Sequence, residues 1–213
     1  MPSEHLTSAE QGDILELLKR DHLRVDGLLD EIEATDDTDE ARRAQLFAQI
    51  AAEIEVHSDS EDQAVYGALE ARGGFEDLIE NARGEHEHIE QMIEELDQTE
   101  VTSPEWRGKV RELRQLVRHH VDEEEGRLFA MMRERLDASE LTRLGHEFVA
   151  ARDSEEDEVT GERSVAGGAG SNGERDIELL SKKELYELAR TRHIEGRSGM
   201  TKAELVIAIR AAR

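Results

Sequence analysis

The chain has 213 residues, 37% of them charged and 3% aromatic, with two prolines and no cysteine. Without cysteine, disulfides, thiolate metal sites, iron–sulfur clusters and thiol catalysis are excluded, so any metal must sit on nitrogen and oxygen. A formal charge of −25 argues against nucleic acid as a partner of the whole chain, because phosphate contacts need clustered Lys and Arg.

Ala, Leu, Glu and Arg dominate, which favours helix over sheet and predicts an all-α protein. The opening Met1-Pro2-Ser3-Glu4 lacks the order of a signal peptide, and no apolar run approaches the roughly 18 residues of a membrane span. A cytoplasmic protein with no membrane partner is expected. A first helix is predicted from about Ala9 to Ala34, with Ser8 and Gln11 as a capping box and Ile14, Leu17, Leu18, Val25, Leu28, Leu29 and Ile32 on one face. The second runs from about Glu40 to Arg72 and stops at Gly73-Gly74, a pair suited to a helix C-cap. A third covers about Glu76 to Leu96, and a fourth opens at Ser103-Pro104 and continues to about Leu136. A shorter fifth, Ser139 to Ala151, is placed to pack across the others. Long helices joined by short connections predict an up-down-up-down four-helix bundle over residues 8–152. Residues 153–176, rich in Gly, Ser and acids and without periodicity, read as a flexible, disordered linker to a separate unit at 177–213.

The second and fourth helices are versions of one another. His57-Ser-Asp-Ser-Glu61 through Tyr66 and Leu69 matches His120-Val-Asp-Glu-Glu124 through Phe129 and Met132 at an offset of 63. Likewise Asp21-His22 through Val25, Asp26 and Leu29 matches Glu85-His86 through Ile89, Glu90 and Ile93 at an offset of 64. Each repeat therefore carries one histidine on its first helix and His-x-x-x-Glu on its second. Residues four apart share a helix face, so His57 with Glu61 and His120 with Glu124 each aim two donors at one place. With His22 and His86 the set is four imidazoles and two carboxylates, which suits iron, manganese or zinc. If each glutamate bridges two ions, each ion receives two nitrogens and two oxygens, with room for a bridging oxide or hydroxide and an open position. Asp26 and Glu90, four residues after His22 and His86, are candidates to orient an imidazole or to act as extra terminal ligands. Asp62 and Glu125 adjoin the two glutamates and fit a solvated place equally well. His88 and His119 have no counterpart in the other repeat and read as locally hydrogen-bonded or exposed; His5, before the first helix, reads as disordered, and His146 and His193, outside the four helices, as surface residues.

From about Ile14 to Met132 the chain resembles the hemerythrin and HHE cation-binding family, through KRDHLRVDGLLDEIE, HSDSEDQAVY, EHEHIEQMIEEL and HHVDEEEGRLF. The resemblance implies two iron ions held by His22, His57, Glu61, His86, His120 and Glu124. It also carries a departure: oxygen-carrying hemerythrins have a second histidine four residues after the one matching His86, where this chain has Glu90. More carboxylate favours the ferric state, so peroxide, nitric oxide or oxygen chemistry, or sensing under oxidative or nitrosative stress, is expected over reversible oxygen carriage. In this the chain is similar to actinobacterial hemerythrin-like proteins, some of which decompose peroxide. An iron or oxygen sensor or store without turnover would use the same site.

Residues 176–213 carry 8 Lys and Arg against 6 Asp and Glu, unlike the acidic bundle. Two short helices are predicted, Ser181 to Thr191 and Thr201 to Ala211, around a core of Leu185, Leu188, Ala189, Ile194, Met200, Leu205 and Ile209. This resembles the helix-loop-helix at the N-terminus of transcription termination factor Rho and, more loosely, SAP modules. That implies a nucleic-acid contact; the small positive charge weakens it, and a protein-interaction or tethering role fits as well.

Overall fold

The computed structural model describes residues 12–36, 38–165, 185, 188–189, 192, 194 and 202–212. Among these residues all regular structure is helical. Helix α1 is Ile14–Ala34, and α2 is Glu40–Glu61. A π turn at Asp62–Tyr66 joins α2 to α3, Gly67–Arg72, so that the three run on as one rod. Helix α4 is Glu76–Asp97. Helix α5, Pro104–Glu123, continues through a second π turn at Glu124–Leu128 into α6, Phe129–Arg135. Then come α7, Ala138–Val165, and α8, Lys202–Ala211.

Each rod pairs with the next through a short connection: α1 packs on α2, α4 on α5, and the square closes where α1 meets α5 and α2 meets α4. This is the up-down-up-down bundle that the helix lengths dictate. Local signals set the ends. Asp13, Asp39 and Ser103 each accept a hydrogen bond from the backbone N–H three residues on, and Pro104 fills the first turn of α5, where no N–H is needed. Asp137 Oδ1 takes the N–H groups of Ser139 and Glu140 at the start of α7. The turn after α3 uses Gly73 at φ +81° and Gly74 at φ +83°, a region that other residues rarely adopt. At Gly145 a side chain would press on the backbone at Gly12 and Ile14, so this glycine lets α7 approach the start of α1.

The first helix begins later than its periodicity implied. Its cap is Asp13, preceded by Gly12 at φ +76°, while the proposed capping pair Ser8 and Gln11 lies outside the described residues. Helix α7 carries on past Ala151 to Val165, through 13 residues expected as linker. Their acids have adequate helix propensity, no proline interrupts them, and extension adds one hydrogen bond per residue once a helix is nucleated. Residues 166–176 lie outside the described residues.

The bundle core divides into two apolar clusters along its length. One gathers Ile14, Leu18, Val65, Leu69, Phe75, Ile79, Leu128, Phe129, Met132 and Phe148; the other gathers Val25, Leu29, Leu46, Ile50, Ile54, Ile89, Trp106, Leu113 and Val117. His22 falls between Leu18 and Val25 on α1, His86 between Ala82 and Ile89 on α4, and His57 and His120 in the same interval of their rods. A polar layer is thus held between two greasy ones.

The chain divides into two compact units, Met1–Arg152 and Asp153–Arg213. In the second, Leu185, Ala189, Leu205, Val206 and Ile209 are buried together, with Leu188 and Ile194 against them. Arg192 donates to the Ile209 carbonyl at 2.7 Å. Met200 lies outside the described residues. No described helix is long and apolar enough to cross a membrane.

Candidate metal centre

The six side chains singled out by the repeat meet in that polar layer, and none is more than 7% exposed: His22, His57, Glu61, His86, His120 and Glu124. Their inner atoms sort by the carboxylate they face. Glu61 Oε2 stands 3.3 Å from His57 Nε2 and 3.4 Å from His86 Nε2. Glu124 Oε2 stands 3.0 Å from His22 Nε2 and 3.8 Å from His120 Nε2. Each trio takes a His-x-x-x-Glu pair from one repeat and the lone histidine from the other. The trios touch where His86 Nε2 and His120 Nε2 come within 3.1 Å. Two overlapping sets, His22, His57, His120, Glu124 and His57, Glu61, His86, His120, each bring their donor atoms within 4.8 Å of one another. Nitrogen and oxygen donors about 2.1 Å from one ion can be no more than about 4.2 Å apart, and each carboxylate oxygen stands within 3.8 Å of both imidazole nitrogens of its trio.

The donor atoms themselves carry the fit to a cation. His22 Nε2, His57 Nε2, Glu61 Oε1 and both Glu124 oxygens are buried and accept or donate no hydrogen bond. Buried polar atoms in a folded protein nearly always have a partner, and a cluster of orphaned lone pairs aimed at one space calls for positive charge there. The two carboxylates also repel. Burial, and then the adjoining Glu61, push Glu124 well above the usual carboxylate range. Burial would raise Glu61 too, but His57 and His86 outweigh it and hold Glu61 well below that range. Burial, then His120 beside it, pushes His86 down to about 4. A cation placed between such groups would ionise both carboxylates and keep the imidazoles neutral.

A ring of acids sets the imidazoles from behind. His22 Nδ1 is 3.0 Å from Glu125 Oε1, and His120 Nδ1 is 3.1 Å from Glu85 Oε2. His57 Nδ1 faces Asp21 Oδ2 at 3.7 Å, too long for a full hydrogen bond. Asp21 is itself gripped by Arg152, whose other nitrogen reaches Glu53 at 2.7 Å. Asp21 and Glu85 are equivalent residues: each precedes the lone histidine of its repeat and serves the histidine on the next rod. Sequence reasoning gave neither a role, although the Asp21-His22 and Glu85-His86 pairs stood in the aligned repeat. It also left Tyr66 and Phe129 as mere repeat markers. Tyr66 O–H donates to Glu61 Oε2 at 3.0 Å, and its ring stacks on His86 at 6.0 Å. Phe129, its counterpart, stacks on His22 at 6.4 Å.

Several expectations change. Asp26 turns from the centre to Arg114 at 3.2 Å and Arg118 at 3.4 Å, because four residues on from His22 the helix face meets the guanidinium groups of α5. Glu90 is half-buried and belongs to neither donor set. Glu125 is no solvated bystander, since it holds His22 and pairs with Lys19 at 3.1 Å; Asp62, one carbon shorter, accepts from Arg83 at 2.7 Å instead. His88, His119 and His146 are exposed, His119 lying 3.5 Å from Glu85. His5 and His193 lie outside the described residues.

Comparison with known proteins agrees with this geometry. The fold is similar to the crystal structure of a hemerythrin HHE cation-binding domain-containing protein from Mycobacterium kansasii, with a TM-score of 0.64 and 25% identity over 72% of this chain and 94% of that one. The sequence is 26% identical over 154 residues to a DNA nickase from Nostoc sp. strain PCC 7120; the match covers 72% of this chain and 43% of the nickase, so the chain spans less than half of that relative's length. The model of the hemerythrin HHE cation-binding domain matches residues 13–132, and with two matched helix hairpins closing six buried donors into one layer, the chain belongs to that family.

Proposed function

We propose that the chain is a non-haem di-iron protein that acts on small oxidants, hydrogen peroxide first, with nitric oxide and oxygen as the other candidates. The observation that carries this reading is the convergence of four imidazoles and two carboxylates, several of their donor atoms without hydrogen-bond partners, on one buried space. His57, His86 and Glu61 would hold one ion and His22, His120 and Glu124 the other, with the glutamates able to bridge. Two such ions, when bound, supply redox change and Lewis acidity beside open positions.

The chain's own residues prepare that chemistry. Glu125 and Glu85 hold the Nδ1 protons of His22 and His120, which leaves the Nε2 lone pairs facing inward. Tyr66 fixes Glu61 through its hydroxyl, and the rings of Phe129 and Phe148 shield His22 and His57 from water. Glu90 stands where oxygen-carrying hemerythrins have a histidine and belongs to neither donor set, so the centre has one imidazole fewer, which favours oxidant chemistry over oxygen carriage. Peroxide disproportionation suits a chain without thiols: one molecule is oxidised to oxygen while another is reduced to water, and no outside reductant is consumed. Metal analysis of protein from iron-rich medium, with a visible spectrum and a peroxide assay, tests the reading. Two irons per chain and many peroxides consumed per centre are expected; zinc or manganese alone, or no turnover, would overturn the iron or the enzymatic part respectively.

A sensor or store without turnover is the second reading, favoured by the separate small core near the C-terminus, which suits a tether. Residues 177–213 would then dock a protein or nucleic acid as a Rho N-terminal-like module. Mobility shift of the full chain on DNA and RNA at low and higher salt tests this, and no shift at either salt removes the nucleic-acid arm. DNA cleavage, suggested only by the name of the longer cyanobacterial relative, is disfavoured by the charge of −25 and is checked by incubation with supercoiled plasmid.

A further inference from the structure

The candidate ligands are so well buried that a substrate needs a way in. A narrow cleft between α4 and the second π turn reaches one of them, Glu124, and is lined besides by Leu78, Ala82, Glu85, Glu123 and Leu128 among others. Its inner end is Glu124, 3% exposed, with both carboxylate oxygens free of hydrogen bonds. Its outer end is Glu123, whose side chain is 34% exposed and pairs with Arg127 at 2.7 Å. The walls are the aliphatic Leu78, Ala82 and Leu128 with the amide of Asn81, and the space inside holds about one water-sized molecule.

We propose that this cleft is the port by which small neutral molecules reach the centre, and that its carboxylates hold small anions back. The proposal rests on the di-iron reading and narrows its substrate class to uncharged species of a few atoms, such as hydrogen peroxide, nitric oxide and oxygen. Width sets the first filter. Charge sets the second: a cleft with low-dielectric walls focuses the field of its charged groups, and Glu123 and Glu85 line this one ahead of the ligand Glu124 in a chain of charge −25. Arg127, 62% exposed at the mouth, offsets only the outermost of them.

The test is stopped-flow binding of nitric oxide and of azide to the ferrous iron-loaded full chain. Leu78 is half-buried and is not one of the six donors, so it can be varied while the ligand set is left alone. Leu78→Trp is expected to slow both probes about tenfold, and Leu78→Ala to speed both, with iron content and spectrum unchanged. Glu123→Gln is expected to raise the azide rate severalfold and leave nitric oxide alone, and added salt should do the same to the wild type. Rates unmoved by both Leu78 variants, with the iron spectrum intact, would overturn the port. An azide rate indifferent to Glu123 and to salt would overturn the charge filter. Absence of any iron-dependent band in the wild type would instead overturn the di-iron reading, and the port with it.

Discussion

Glu85 shows how a residue with no donor atom in the centre still shapes it. It accepts the Nδ1 proton of His120 and is steadied by Asn81, whose Nδ2 donates at 2.8 Å. Glu85→Gln replaces a charged acceptor by a neutral one and frees the imidazole to turn. Apparent affinity for cobalt(II), read by competition with a coloured chelator, is expected to fall roughly 10- to 100-fold, while the unfolding midpoint of the metal-free chain stays nearly constant. An unchanged affinity would show that the bond does not orient the ring. The six inner residues were legible because they recur at fixed offsets in both repeats. The outer acids were not, since whether Asp26 or Asp21 faces an imidazole depends on which neighbouring helix brings an arginine. Arg114 draws Asp26 away, and Arg152 steers Asp21 toward His57.

At the level of helices, length and order followed from apolar periodicity, proline and glycine, and the second and fourth rods span nearly the residues expected of them. The π turns were invisible in advance. Each starts where its glutamate sits, at Glu124 in one rod and one residue after Glu61 in the other, and no residue type marks an i to i+5 bond. Such a turn holds one residue more than α geometry and is frequent at functional sites. Here it re-aims everything downstream, so that Tyr66 and Phe129 come to lie over histidines. Outside the π turns, three helical glycines have no steric reason to be there: added Cβ atoms at Gly27, Gly84 and Gly108 would meet open space. Alanine at each is expected to raise stability by about 0.5–1 kcal/mol in urea unfolding, by removing freedom from the unfolded chain. A loss instead would mean that the helices need those bends.

For the molecule as a whole, the buried layer costs the metal-free protein stability in acid. Burial lowers His86 to about 4, against 6.5 for an ordinary histidine, so between these values the unfolded chain binds a proton that the folded chain refuses. This contribution erodes stability as pH falls through that window and levels off below it. Glu124, pushed up, works in the opposite direction, so the clean measurement is a difference. The advantage of the metal-free wild type over His86→Gln in urea is expected to shrink from pH 6.5 toward 4, by up to about 3 kcal/mol. A constant gap would mean that His86 titrates normally. A saturating divalent metal should stabilise the fold in proportion to the logarithm of its concentration, and a chelator should reverse this.

Neither hairpin completes a coordination trio alone: His57 and Glu61 need His86, while His120 and Glu124 need His22. Each bound ion would therefore rivet one half of the bundle to the other, across a seam spanned covalently only by the Gly73-Gly74 bend. A chain severed at that bend should hold its two pieces together more tightly when loaded than when its metal is stripped, which makes the cation a reversible clasp added to the apolar clusters that the halves already share.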